Sequence, residues 1–201
     1  MKVIKNGGTI WGDQFARIVQ EHIGESPVFY EIGAFDGRDC DLFKEVLPQS
    51  TIVAFEANHW SFHQYMQYKP YQVFNVAVSD QEGIFPFFDK DEKVVSSLLD
   101  NGMKGTTSSV ATVRLDSFVR KKKLPLPDVV KIDAEGTTYQ ILQGMGDLLR
   151  SVKMLYIETE DKEYWKGQHL HNDVVDLLDG FTCLLMHDNE GQLDSIWLRS
   201  Q

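Results

Sequence analysis

Basic residues are in short supply: 20 Lys and Arg stand against 30 Asp and Glu, a formal net charge of −10. Such a chain repels phosphate-rich polymers and acidic lipid surfaces, which counts against nucleic acid as a partner. Cysteine is scarcer still, with Cys40 and Cys183 the full complement. They lack the close pairing of thiolates or histidines that a structural zinc site needs, and read as buried free thiols in a reducing compartment. No run approaches the roughly 20 apolar residues that span a bilayer. The opening stretch Met1-Lys2-Val3-Ile4-Lys5-Asn6-Gly7-Gly8 has no apolar centre of the kind secretion signals carry. The expectation is a cytoplasmic protein without membrane insertion. Repeats and low-complexity tracts are also absent, and the single charge run, Arg120 to Lys123, reads as a solvated helix end.

What is present is 201 residues, 42% of them hydrophobic, enough for one sizeable core. The expectation is a single domain over 1–201, with an N-terminal helical segment (1–26) and a core from 28 to 201. Apolar residues at Trp11, Phe15, Ile18, Val19 and Ile23 follow one helical face. Strand Val28 to Ile32, a glycine turn and a helix carrying Leu42, Phe43, Val46 and Leu47 come next. Strand Thr51 to Phe55, a helix across Trp60 to Tyr68 and strand Gln72 to Val78 repeat the alternation, which argues for a parallel sheet. From Ser79 to Thr107 the pattern weakens. Phe85, Phe87 and Phe88 suggest a short strand, and the glycine, serine and threonine-rich piece Asn101 to Ser109 reads as a mobile loop.

Alternation resumes with a strand at Ala111 to Leu115, a helix near Asp116 to Lys122, strand Val129 to Ile132, a helix from Thr138 to Leu149 and strand Met154 to Ile157. A helix near Val174 to Leu178 precedes strands Phe181 to Met186 and Leu193 to Leu198. The turn Asp188-Asn189-Glu190-Gly191 between those strands forces an antiparallel hairpin. The predicted fold class is therefore α/β, Rossmann-like, with a mainly parallel sheet and an antiparallel C-terminal hairpin. That ending is similar to class I methyltransferase folds, whereas dinucleotide-binding sheets usually stay parallel.

At the first turn, Glu31-Ile32-Gly33-Ala34-Phe35-Asp36-Gly37, missing Cβ atoms let a ligand approach the backbone closely. Phe35 occupies the place of the second glycine in Gly-x-Gly-x-x-Gly, so the turn does not suit a pyrophosphate. An acid at Glu31 suits the cationic amino group of S-adenosylmethionine, and Gly33, Ala34 and Gly37 suit its methionine and ribose portions. Glu56 ends the second strand where a carboxylate accepts ribose hydroxyls. Ala77 and Val78, ending the third, would border an adenine ring.

Farther on, Val129-Val130-Lys131-Ile132-Asp133-Ala134-Glu135-Gly136, followed by Ile141-Leu142-Gln143-Gly144, resembles the FkbM family of methyltransferases. Gly33-Ala34, Gly37, Glu56, Asn58, Ser96-Ser97-Leu98 and Thr112 to Phe118 match that family's pattern in order, over roughly Val28 to Glu158. Glu31 stands for a more usual aspartate and Ala57 for a frequent proline. The resemblance implies S-adenosylmethionine-dependent O-methylation of a hydroxyl on a sugar, glycan or other small molecule.

Asp133, at the end of the fourth strand, is expected to face the sulfonium and the methionine amino group, leaving Glu135 or Glu158 as general base, with Glu160 nearby. Carboxylates this close either raise one another's pKa or share a divalent cation; no metal ligand is assigned. His59, His169 and His171 are weaker candidates, and Tyr164, Trp165, Phe87 and Phe88 are candidates to line an acceptor pocket. A nicotinamide-dependent oxidoreductase is opposed by the missing glycine and the terminal hairpin. A catalytically silent binding module is opposed by intact Glu31, Glu56 and Asp133. Oligomeric state is not legible.

Overall fold

The computed structural model describes residues 2–5, 10–90, 95–102 and 104–200. In chain order its strands are β1 (Lys2–Lys5), β2 (Val28–Ile32), β3 (Thr51–Phe55), β4 (Gln72–Phe74), β5 (Ala77–Val78) and β6 (Gly83–Lys90). There follow β7 (Ser96–Ser97), β8 (Gly105–Val113), β9 (Val129–Ile132), β10 (Met154–Glu160), β11 (Phe181–Asn189) and β12 (Gln192–Arg199). The helices are α1 (Gly12–His22), α2 (Arg38–Val46), α3 (His59–Ser61), α4 (Leu115–Lys122), α5 (Thr138–Met145) and α6 (His171–Val175). Eight strands form one sheet in the order β1-β11-β12-β10-β9-β2-β3-β4. Only β12 runs antiparallel to its neighbours there, which is the expected C-terminal hairpin on a parallel sheet.

Strands buried on both faces are apolar on both. In β2, Phe29 faces one core with Phe15 of α1 and Phe43 of α2, its ring stacked on Phe43 at 4.1 Å. Tyr30 and Ile32 face the other, with Phe118 of α4, Ile141 of α5 and Val174 of α6. Helices therefore cover both faces, and the carboxyl ends of the central strands stay open for a site. Cys40 and Cys183 are both buried and free.

Several elements differ from the sequence reading. The third strand divides: β4 completes the main sheet, whereas β5 joins a second sheet of order β5-β8-β6-β7. The piece read as a mobile loop is a strand from Gly105 onward, its residues Gly105 to Thr112 paired antiparallel with β6; Met103, in the same piece, lies outside the described residues. Serine and threonine exposed on both faces gave β8 no apolar alternation to read. β1 was hidden in the segment assigned as helical, and pairs parallel with β11. The second helix of the alternation is three residues of α3 running into a π-helical turn, Phe62–Met66. Asn58 starts it, its side chain accepting from the backbone N–H groups of Trp60 and Ser61. Gly144 lets α5 close on β5: a Cβ there would lie 2.0 Å from the Ser79 carbonyl oxygen.

Candidate active site

The sheet order reverses around β2, which lies between β3 and β9. The two turns leaving β2 and β9 lie against each other at this crossover, the position at which open α/β sheets hold ligands. Gly33, at φ +84°, is packed so tightly that a Cβ would sit 1.8 Å from the Asp133 carbonyl oxygen. Gly33 and Ala34 donate backbone N–H groups to the Phe55 carbonyl at 3.0 and 3.1 Å, folding the first turn over the end of β3. Phe35 and Glu135 take positive φ, +45° and +46°, which costs a side-chain-bearing residue energy wherever the surroundings impose it.

Between these turns lies a cavity of about 260 Å³, walled by Gly33, Phe35, Glu56, Asp133 and Glu135. Ala77, Val78, Phe87 and Leu98 supply its apolar side. Glu56 is only 6% exposed and is held at both oxygens. Its Oε2 accepts from the Phe35 N–H and its Oε1 from the Asn58 N–H, each at 2.6 Å. Each oxygen keeps a further lone pair, so the group is aimed as a double acceptor. Burial pushes its pKa up to about 7 against the pull of those two N–H donors. Ser61 Oγ, also on the cavity wall, is buried with no hydrogen-bond partner among the described residues. A polar nucleoside with a diol fits such a lining; a purely apolar ligand does not.

Asn58 joins this wall to the second sheet. Its amide donates to Asp89 Oδ1 at 2.7 Å and Ser96 Oγ at 3.0 Å. Ser97 Oγ in turn donates to the Glu135 carbonyl at 2.7 Å, so β7 is pinned across the cavity to the turn after β9.

Glu31, expected to meet a cationic ligand, sits within an internal ion-pair cluster. It is 1% exposed and lies beside Lys131 in the β2–β9 register, the two side chains on one face of the parallel pair. Lys131 Nζ is 3.1 Å from Glu31, 2.8 Å from Asp39 and 3.0 Å from Asp133. Burial alone would lower the lysine pKa, but Asp133, Glu31 and Asp39 together raise it well above the ordinary value, so Lys131 stays charged. Cys40 Sγ donates to the second Glu31 oxygen at 2.8 Å. The carboxylate is thus satisfied from within the protein, and of these acids Asp133 reaches the cavity. Ala34 and Gly37 shape the turn without lining the cavity; a Cβ on Gly37 would meet Tyr71 Oη at 2.7 Å.

A second cavity, about 350 Å³, adjoins the first and shares Glu135 with it. Glu160, Tyr164, Trp165, Glu190 and Gln192 line it, with Lys162 at the rim. Strand β10 runs farther than its apolar stretch suggested, carrying Glu158 and Glu160 within the strand. Glu158 pairs in register with Asp194 of β12 and lines neither cavity. Burial, then the nearby charges of Asp133, Glu135 and Asp194, hold its carboxyl well above the carboxylate range, and its Oε1 has no hydrogen-bond partner among the described residues. A base must be ionised at working pH, which disfavours Glu158. Asp194, raised to about 6 by burial and then by Asp133, is a member of this acidic group that sequence spacing did not reveal; only the β10–β12 register brings it in.

The histidines lie apart from both cavity walls. His59 is exposed against Asn75 Oδ1 at 2.9 Å, His169 stacks on Tyr139, and His171 faces Thr159 Oγ1 at 2.8 Å. Among the described residues no group of three or more His, Cys, Asp or Glu side chains is arranged to hold a metal ion, so the divalent cation allowed by the acidic sequence finds no ligand set. Among them too, no helix is long and apolar enough to cross a membrane.

Comparison with known proteins agrees with this architecture. The 2-O-methyltransferase NoeI of Sinorhizobium fredii is 25% identical over 175 residues, covering 77% of this chain and 72% of that protein. The hexuronic acid methyltransferase AglP of Haloferax volcanii is 36% identical over 50 residues, 25% of this chain and 21% of that one. Among solved structures, the N-terminal domain of EvdMO1 with SAH bound superposes with a TM-score of 0.56 at 10% identity, covering 96% of this chain and 82% of that one, which establishes the shared fold. The sequence pattern of the methyltransferase FkbM domain matches residues 31–183. That span contains the glycine turn, Glu56 and the whole Lys131 to Gly136 signature, and the chain belongs to the FkbM family of S-adenosylmethionine-dependent methyltransferases.

Proposed function

We propose that this enzyme transfers the methyl group of S-adenosylmethionine to a hydroxyl of a sugar, acting as one domain. The observation that carries the reading is the pair of cavities meeting at Glu135: one suits a nucleoside, and the other, with aromatic and carboxylate walls, suits a polyol. A relative named as a 2-O-methyltransferase supports a hydroxyl oxygen as acceptor, and one named as a hexuronic acid methyltransferase supports a sugar.

In the first cavity Glu56 would accept both ribose hydroxyls, and Ala77 and Val78 would border the adenine. Gly33 lets the methionine portion pass close to the backbone. Asp133, anchored by Lys131, would face the cationic end. When bound, the cofactor supplies an electrophilic methyl group. The protein's own task is to hold the acceptor oxygen in line, exclude water and take up a proton. No step is assigned to a metal. Labelled methyl transfer from S-adenosylmethionine to a panel of neutral and acidic glycosides tests this: incorporation into a glycoside hydroxyl is expected, and cofactor binding without transfer to any glycoside would refute it.

A further inference from the structure

Building on the sugar O-methylation reading, we propose that the second cavity seats the acceptor as a neutral pyranose, with Glu160 accepting the proton of the reacting hydroxyl and Gln168 holding Glu160 in position. Several observations converge on that cavity. Gln168 is buried, and its amide donates to Glu160 Oε2 at 2.9 Å. Its carbonyl oxygen accepts from the backbone N–H groups of Tyr164 and Trp165, each at 2.7 Å. One side chain therefore brackets the aromatic wall to the carboxylate, and the bond fixes the carboxylate's rotamer while leaving Oε1 to accept.

The family signature reaches the same place. A Cβ on Gly136 would lie 2.5 Å from Trp165 Cδ1, so the glycine after Glu135 is what allows Trp165 to pack on this turn. Lys131 to Gly136 thus serves both cavities: Asp133 lines the first, Glu135 both, and Gly136 underlies the tryptophan of the second.

Charge selects the class of sugar. Among the described residues, Glu135, Glu160 and Glu190 line the second cavity against one cation, Lys162, which is already bonded to the Glu190 carbonyl at 3.1 Å. Carboxylates accept pairs of sugar hydroxyls and repel a uronate. In the step itself, the hydroxyl oxygen bonds the methyl carbon while the carbon–sulfur bond breaks. That electron pair stays on sulfur, leaving a neutral thioether, and the hydroxyl proton passes to Glu160. Burial, and then the charge of Asp133, raise Glu160 to about 7 against the Gln168 hydrogen bond, matching it to proton transfer near neutrality. The other charged groups that line this cavity among the described residues are Glu135, Glu190 and Lys162.

The test uses the full chain with methyl glycosides of glucose, galactose and fucose beside those of glucuronic and galacturonic acid. Binding is read by saturation-transfer NMR in the presence of S-adenosylhomocysteine, and transfer with labelled S-adenosylmethionine. Neutral glycosides should bind in preference to uronides. Tyr164→Ala, at an exposed position, should raise KM for the glycoside with calorimetric affinity for S-adenosylhomocysteine unchanged. Glu160→Gln should retain glycoside binding, lose at least roughly a hundredfold in kcat, and lose the rise of kcat through pH 7 at saturating cofactor. Wild-type transfer to a glycoside with both variants unaffected, or preference for uronides, overturns this inference and leaves sugar methylation standing. Absence of transfer to any glycoside by wild type overturns the underlying reading instead.

Discussion

Replacing Glu56 by glutamine separates cofactor recognition from folding. The carboxylate is buried and tied at both oxygens by the Phe35 and Asn58 N–H groups, so its rotamer exists before any ligand arrives. A charged hydrogen bond to each ribose hydroxyl is worth about 1.5–3 kcal/mol, and the amide can replace at most one of them in neutral form. The expected loss is about 3 kcal/mol, roughly a hundredfold in Kd. Stability should move little. A pKa raised from 4.5 to about 7 means that Glu56 favours the fold fully below pH 4.5 and loses that contribution, about 3 kcal/mol, as pH rises through 7. Removing the charge recovers that amount above pH 7, while the new NH₂, facing a backbone N–H, costs about 1–3 kcal/mol. Calorimetry with S-adenosylhomocysteine from pH 6 to 8 reads all of this at once. Wild-type affinity should fall about tenfold in all between pH 8 and pH 6, because below pH 7 a proton must first leave the carboxylate, and the variant should be weak and flat. An unchanged Kd in Glu56→Gln, or matching pH profiles for the two proteins, would sink the ribose assignment.

Other substitutions probe the scaffold around this carboxylate. Gly33→Ala places a Cβ 1.8 Å from a backbone oxygen at φ +84°, where neither side can yield, and thermal melting should report a loss of about 3 kcal/mol or more. Lys131→Met leaves the buried Glu31 and the partly exposed Asp39 and Asp133 clustered without their cation; urea unfolding should show about 3 kcal/mol of destabilisation, and wild-type stability would contradict the ion-pair geometry. Gly136→Ala should displace Trp165 and raise KM for the sugar more than it changes cofactor affinity; equal effects on both would place Trp165 outside the acceptor wall.

Much of this arrangement is legible in the chain because two kinds of signal are local. Apolar runs such as Val28 to Ile32 and Val129 to Ile132 announce buried parallel strands, and the residues just beyond them, Gly33, Glu56 and Asp133, fall at strand ends and hence on the first cavity. What the chain conceals is set by register. Glu31 reads from the chain only as an acid near the end of an apolar strand; its neighbour across β2–β9 is Lys131, 100 positions away, and that ion pair is visible only in the register. Asp194 joins the acidic group only through its register partner Glu158, and Gln168 gains meaning only once a loop folds Tyr164 and Trp165 back toward β10. The second sheet was illegible for a different reason: β8 is exposed over most of its length, so its polar composition reads as loop until β6 supplies a partner. The same division separates the two cavities. On the proposed reading, a nucleoside would be held by strand-end residues that motifs reveal, whereas the wall of the second cavity is assembled from β10, the segment after it and the hairpin turn, and is tied together by a glutamine with no motif of its own. If the second cavity seats the acceptor as proposed, its specificity can change through Glu160, Tyr164, Gln168 or Glu190 while every residue of the Lys131 to Gly136 signature stays in place.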